Sequence, residues 1–173
     1  MSYVPFEEDV KFHGHLCGGV ASGYALGKYA MELIGAKPGD PLYAVVEFQN
    51  CMSDAIQMVT GCTTGKGNLV VRNLDKGAIT LVKKETGKGV RVVIDNMHIT
   101  GETPEELAKN IIEADPKTTC TYREATLEVP ARRPKKLIKC DKCGETFSEY
   151  VAENVDGKIL CPDCVKEENI VAV

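Results

Sequence analysis

Four cysteines near the C-terminus constrain the fold of this 173-residue chain more tightly than any other feature. Cys140 and Cys143 form one Cys-x2-Cys pair and Cys161 and Cys164 a second, with 17 residues between the pairs. Each pair sets two thiolates on a tight knuckle, and two knuckles complete a tetrahedral sulfur site for a structural zinc ion. Lys142-Cys143-Gly144 fits such a knuckle, because glycine permits the turn beneath the metal. Val151 to Leu160 reads as a hairpin turning at Asp156-Gly157, and Val165 to Asn169 as a helical turn. The pattern predicts a treble-clef or ribbon-type zinc finger over residues 140–173. A module this small cannot build an adequate apolar core, so metal binding supplies its folding energy.

Residues 135–173 carry six lysines and eight acidic groups, a net −2, which disfavours phosphate binding by the finger. The reading is therefore a structural or protein-contact role. Pro130 to Lys139, with Arg132, Arg133, Lys135, Lys136 and Lys139, reads as a basic linker, a solvated tether rather than a phosphate site. Residues 1–130 then form a separate core domain. The whole chain has a net charge of −4, which argues against general polyanion binding. With 43% hydrophobic and 27% charged residues it has the composition of a folded globular protein. It has no run of 18 apolar residues, so no membrane span is expected. The start, Met1 to Asp9, has neither the basic opening nor the apolar centre of a signal peptide, which predicts a cytoplasmic, reducing location. Cysteines in such a place are read as metal ligands or reactive thiols before disulfides.

The core domain is organised around His13-Gly14-His15-Leu16-Cys17-Gly18-Gly19. Leu16 to Ile34 reads as a helix stopped by Gly35, with Cys17 in its first turn, where the helix dipole favours a thiolate. Gly19, Gly23 and Gly27 recur every four residues on one face and predict a very close neighbour there. Leu42 to Gln49 reads as a strand, and Ser53 as the N-cap of a short helix ending at Gly61. Strands at 69–73, 78–84 and 90–95 read as an antiparallel meander. Thr103-Pro104-Glu105-Glu106 opens a helix that Asp115-Pro116 ends, and Thr126 to Val129 adds a strand. The sum is an α+β fold, an antiparallel sheet packed with helices.

Thiolate and imidazole suit zinc or another late transition metal. His15 and Cys17 at the helix start, with Cys51 at the strand-to-helix junction, are the first three candidate ligands. Cys62, in the next loop, is a fourth ligand or a nearby reactive thiol. An open position would hold water, as in catalytic zinc sites. His98 stands alone and reads as structural. Gly61-x3-Gly65-Lys66-Gly67 lacks the gap and the Ser/Thr of a phosphate loop.

Three stretches, His13 to Gly19, Cys51-Met52-Ser53-Asp54-Ala55-Ile56-Gln57 and Thr60-Gly61-Cys62-Thr63-Thr64-Gly65-Lys66-Gly67-Asn68-Leu69, together resemble the family of the formylmethanofuran dehydrogenase E chain, FmdE. The resemblance covers residues 6–130, and the four-cysteine finger resembles the appendage of some members. The family usually has proline after the first cysteine. Gly18 stands there in this chain, loosening the turn without removing a ligand. The resemblance implies an α+β core with a metal-capable cleft, a homodimer, and association with the molybdenum or tungsten oxidoreductase that reduces carbon dioxide onto methanofuran. It does not imply that this chain performs that chemistry. The preferred function is thus a metal-binding accessory subunit in a larger oxidoreductase complex. The alternative is a metal- or thiol-dependent enzyme acting on a small-molecule ligand, with Cys17 as nucleophile and His15 or His13 as base. A zinc-finger regulator of nucleic acid is third, set back by the acidic balance.

Overall fold

The computed structural model describes residues 3–131 and 136–166. Arg132, Arg133 and Lys135 of the basic linker, and the second half of the helical turn read at Val165 to Asn169, lie outside the described residues. The chain divides into two units, Met1–Val129 and Pro130–Val173.

In the first unit, helix α1 (Phe6–His13) precedes α2 (Gly18–Leu33), then strand β1 (Leu42–Val46), α3 (Met52–Thr60), β2 (Leu69–Val71), β3 (Ala78–Lys83) and β4 (Lys88–Ile94). Helix α4 (Pro104–Glu113), the short α5 (Pro116–Thr119) and β5 (Cys120–Thr126) complete it. The sheet order among the described residues is β2-β1-β3-β4-β5. Only β2 runs parallel to its neighbour, with Ala44 opposite Leu69. The other pairings are antiparallel. The meander expected from β2 through β4 is thus corrected. Strand β1 inserts between β2 and β3, and the meander is β3-β4-β5. Strand β5 also begins six residues before the expected Thr126, because the ladder from Cys120 opposite Ile94 to Thr126 opposite Lys88 is already complete there.

Helix α2 is apolar nearly all round and buried accordingly, touching β3 and β4 on one side and α1, α3 and α4 on others. Its three spaced glycines meet α3, as their spacing predicted. A Cβ on Gly23 would lie 2.5 Å from the Met52 carbonyl oxygen, and one on Gly27 would lie 3.0 Å from Ile56 Cδ1. Phe48, Leu26, Met31, Ile56, Ile79 and Leu81 are fully buried around this contact. Each large apolar side chain removed from water contributes about 1.5–3 kcal/mol.

Helix α4 starts as read. The Thr103 hydroxyl accepts from the Glu106 N–H at 3.1 Å. Asp115-Pro116 does end α4, but it also opens α5, with Asp115 Oδ1 accepting from Lys117 N at 2.9 Å. Beyond β1, Glu47 forms a bidentate pair with Arg91 on β4, at 2.6 and 2.7 Å. The guanidinium holds the Glu47 carboxyl below its usual range.

In the second unit, β6 (Leu137–Lys139) pairs with β7 (Thr146–Ser148), and β8 (Glu153–Val155) with β9 (Lys158–Leu160), before α6 (Pro162–Lys166). Leu137–Lys139 therefore belong to a hairpin rather than to the linker. The β8–β9 turn is Asp156-Gly157 as expected, both with positive φ (52° and 83°), the geometry of a tight hairpin turn.

Candidate metal centres

In the first unit, three element ends converge. Helix α1 stops at His13, because Gly14 takes φ 95° and returns its N–H to the Val10 carbonyl. Cys17 is the N-cap of α2, one position before the first turn expected for it. Its Sγ accepts from Val20 N at 3.5 Å, and the dipole of α2 favours a thiolate there. Cys51 is the N-cap residue of α3, displacing Ser53 from that role. Ser53 instead donates its hydroxyl to the Phe48 carbonyl at 3.3 Å. Gly19 lies beneath both thiols. A Cβ there would meet Cys51 Cβ at 2.9 Å and both sulfurs at 3.7 Å.

One ligand atom from each of His13, His15, Cys17 and Cys51 lies within 4.8 Å of all the others. The two imidazoles tilt against each other, with centroids 4.5 Å apart. His13 Nδ1 is 2.8 Å from Asp54 Oδ2. That leaves Nε2 toward the cluster, buried and without a hydrogen-bond partner among the described residues. An orphaned buried nitrogen is costly unless something fills its lone pair. Burial, and then the neighbouring Cys17 thiol, push the Cys51 thiol above its ordinary value. Two adjacent thiols resist joint ionisation without a cation between them. The donor set and the orphaned nitrogen both fit a transition-metal ion.

The sequence reading and the structure differ at two residues here. The structure brings His15, Cys17 and Cys51 together but not Cys62. Cys62 follows the far end of α3, roughly 14 Å along the helix from Cys51 by the 1.5 Å rise per residue. It is fully buried in the apolar core, and desolvation pushes its thiol up to about 11. It is a packed hydrophobe, as is Cys120 on β5. His13 takes the fourth place instead. An extended 13–15–17 segment cannot aim all three side chains one way, but a helix end, a left-handed glycine and an N-cap can. The signal available in the sequence was Gly14 closing a helix over Phe6 to His13. His98 is exposed and outside the cluster.

In the second unit, ligand atoms of Cys140, Cys143, Cys161 and Cys164 also lie within 4.8 Å of one another. The first knuckle closes as its residues require. Gly144, at φ 75°, donates its N–H to the Cys140 carbonyl at 2.9 Å. Cys140 Sγ accepts backbone N–H bonds from Lys142 and Cys161, each at 3.4 Å. Backbone donors, that of Cys143 foremost, bring the Cys140 thiol down to about 6. A sulfur held as thiolate by backbone amides is ready for a metal. No ion-specific geometry follows from four sulfurs alone, and these residues can hold a metal ion of the zinc type.

Residues 12–139 match the family model FmdE, described as molybdenum formylmethanofuran dehydrogenase operon. The chain belongs to the FmdE family. An FmdE-like protein of the tungsten formylmethanofuran dehydrogenase type, from Syntrophus aciditrophicus, has a similar solved structure. It is 27% identical, with a TM-score of 0.72 covering 99% of this chain and 100% of that one. A probable S-adenosyl-L-methionine-binding protein from Archaeoglobus fulgidus is 32% identical over 169 residues, covering 78% of this chain. The present chain spans 46% of that relative, about half its length. No helix among the described residues of this FmdE chain is long and apolar enough to cross a membrane.

Proposed function

We propose that this FmdE protein is a metal-carrying accessory subunit of an oxidoreductase of the formylmethanofuran dehydrogenase type. Its core metal is held by His13, His15, Cys17 and Cys51, and a structural zinc by Cys140, Cys143, Cys161 and Cys164. The observation that supports it is the convergence of two imidazoles and two thiols within 4.8 Å, with a buried His13 Nε2 lacking any other partner among the described residues. Asp54 behind His13 gives the carboxylate–histidine arrangement that fixes ring orientation and raises ligand basicity. Its partners on this reading are a second copy of the chain and the larger oxidoreductase.

One feature favours a catalytic variant of this reading. His15 is the exposed member of the core set, so the metal has a solvent-facing side. When bound, the ion supplies Lewis acidity to a small molecule reaching that side. The chain's own residues then position it: Cys17 and Cys51 anchor from two helix starts, and His13 from a helix end.

Cobalt(II) titration of the full chain tests the core site. Thiolate-to-cobalt absorption is expected from both centres. In Cys17→Ser/Cys51→Ser the core contribution disappears while that of the finger stays. An unchanged spectrum in that variant would remove the core centre. Co-purification with the dehydrogenase's catalytic subunit tests the assembly, and a chain that never associates with it would remove the accessory role.

A further inference from the structure

Behind His13 a chain of hydrogen bonds continues past Asp54, and it ends on a backbone amide whose polarity cannot be reversed. Gln57, one turn further along α3, places Oε1 3.2 Å from Thr64 N and Nε2 3.5 Å from Asp54 Oδ1. Asp54 Oδ2 lies 2.8 Å from His13 Nδ1. A glutamine amide can in general be turned either way, and its orientation is inferred from its partners. Here the partner decides. Thr64 N–H can only donate, so the oxygen of Gln57 faces it and the amide N–H2 faces Asp54. An ionised Asp54 can only accept, so it takes one bond from Gln57 and one from His13. His13 must then carry its proton on Nδ1, leaving a lone pair on Nε2 inside the cluster.

We infer that Gln57 is a positioning residue, and that the Thr64 amide, acting through Gln57 and Asp54, sets the tautomer of His13. This rests on the core metal reading above but concerns a different property, the direction of a proton chain. Asp54 needs such a hold. Its side chain is 38% exposed, against 11% for His13, so without Gln57 it has water and other rotamers to choose from. The loop that supplies Thr64 is itself tied down. Thr63 N donates to Asn68 Oδ1 at 3.0 Å, and Asn68 Nδ2 donates to the Leu42 carbonyl at 3.1 Å, at the start of β1. Lys66 Nζ closes the loop onto the Gly61 carbonyl at 3.1 Å. The glycine-rich stretch that failed as a phosphate loop thus has another use. It returns one backbone N–H along the length of α3 to the residues behind the core cluster.

Substituting Gln57 discriminates this from mere packing. Gln57→Glu keeps the size and can still accept from Thr64, but it cannot donate to Asp54 and adds a like charge beside it. Gln57→Leu removes both bonds. Long-range proton–nitrogen correlation spectra of labelled histidines in the full chain, at a pH where imidazoles are neutral, report the tautomer directly. The wild type without core metal is expected to show His13 as Nδ1–H. Both variants are expected to show a mixture of tautomers, with cobalt affinity of the core lowered roughly 3- to 10-fold, less than the 10–100-fold typical of losing a group bonded directly to a ligand. Wild-type His13 protonated on Nε2, or variants with unchanged tautomer and affinity, would overturn the inference. A wild type that shows Nδ1–H, loses it in both variants and takes up no core metal would support the relay while refuting the metal reading.

Discussion

Gly23→Ala tests whether the packing of α2 on α3 sets the geometry of the core cluster. The added Cβ would sit 2.5 Å from the Met52 oxygen, 2.7 Å from Met52 Cα and 3.0 Å from Ala55 Cβ. Comfortable carbon contacts are about 3.5–4.0 Å, so the start of α3 must retreat by about 1 Å. The obstructing atoms are backbone, so no rotamer change relieves the clash. Overpacking of this kind costs about 1–3 kcal/mol, and backbone displacement puts it at the upper end. The helix propensity of alanine over glycine returns about 1 kcal/mol. The net loss is about 2 kcal/mol, a fall in Tm of roughly 5–10 °C for a unit of this size. Met52 follows Cys51 directly, so the same retreat carries the Cys51 thiol out of register. Metal centres tolerate only about 0.5 Å of misplacement, so core metal affinity falls with stability. Gly65→Ala is the control. Nothing lies within 4 Å of its Cβ position, and it is expected to stay within about 0.5 kcal/mol of wild type. Thermal unfolding by circular dichroism and cobalt titration read both effects. A Gly23→Ala protein as stable as wild type, or stabilised by the propensity gain, would refute the close-contact argument.

Two further outcomes follow from buried charge. Asp9 is fully buried on α1 with neither carboxylate oxygen partnered among the described residues, and desolvation raises its pKa from 3.8 to about 7. The native state therefore holds a proton that the unfolded chain releases above pH 4, so this group lowers stability progressively as pH rises from about 4 to 7. Asp9→Asn should match wild type near pH 4 and exceed it by about 2–4 kcal/mol at pH 8, measured by urea unfolding. An equal gap at both pH values would contradict the desolvation argument. Glu47→Ala strands Arg91 at 19% exposure of its side chain and should cost about 2–4 kcal/mol, whereas Glu47→Ala/Arg91→Leu recovers part of it. A double variant no better than the single in urea unfolding would show that the pair is not coupled as drawn.

What the sequence disclosed follows the range of the interactions involved. The finger was legible because each Cys-x2-Cys knuckle and the Asp156-Gly157 turn are local, their geometry contained in a few adjacent residues. The glycine spacing of α2 was also legible, since a four-residue period translates directly into one helix face. Pairing between distant segments was not. Nothing in Leu69–Val71 says that it lies parallel to β1 rather than beside β3. Strand β5 is an edge strand with exposed residues at most positions, so it lacks the alternation that marks a half-buried strand. The core cluster was half legible for the same reason. His15, Cys17 and Cys51 sit at junctions, where ligands are expected, and so does Cys62, but a nine-residue helix separates Cys62 from the others. His13 was discounted because α1 is short and largely charged, and its helical character becomes evident only from its packing on α2 and α3.

Native mass spectrometry of the zinc-reconstituted full chain tests the central claim most directly, since each bound ion adds a resolvable mass. Two zinc ions per chain are expected in the wild type. One is expected in Cys17→Ser/Cys51→Ser, and one in Cys143→Ser/Cys164→Ser. A wild type with a single ion, unchanged by the core substitutions and lost with those in the finger, would contradict a metal centre built from His13, His15, Cys17 and Cys51.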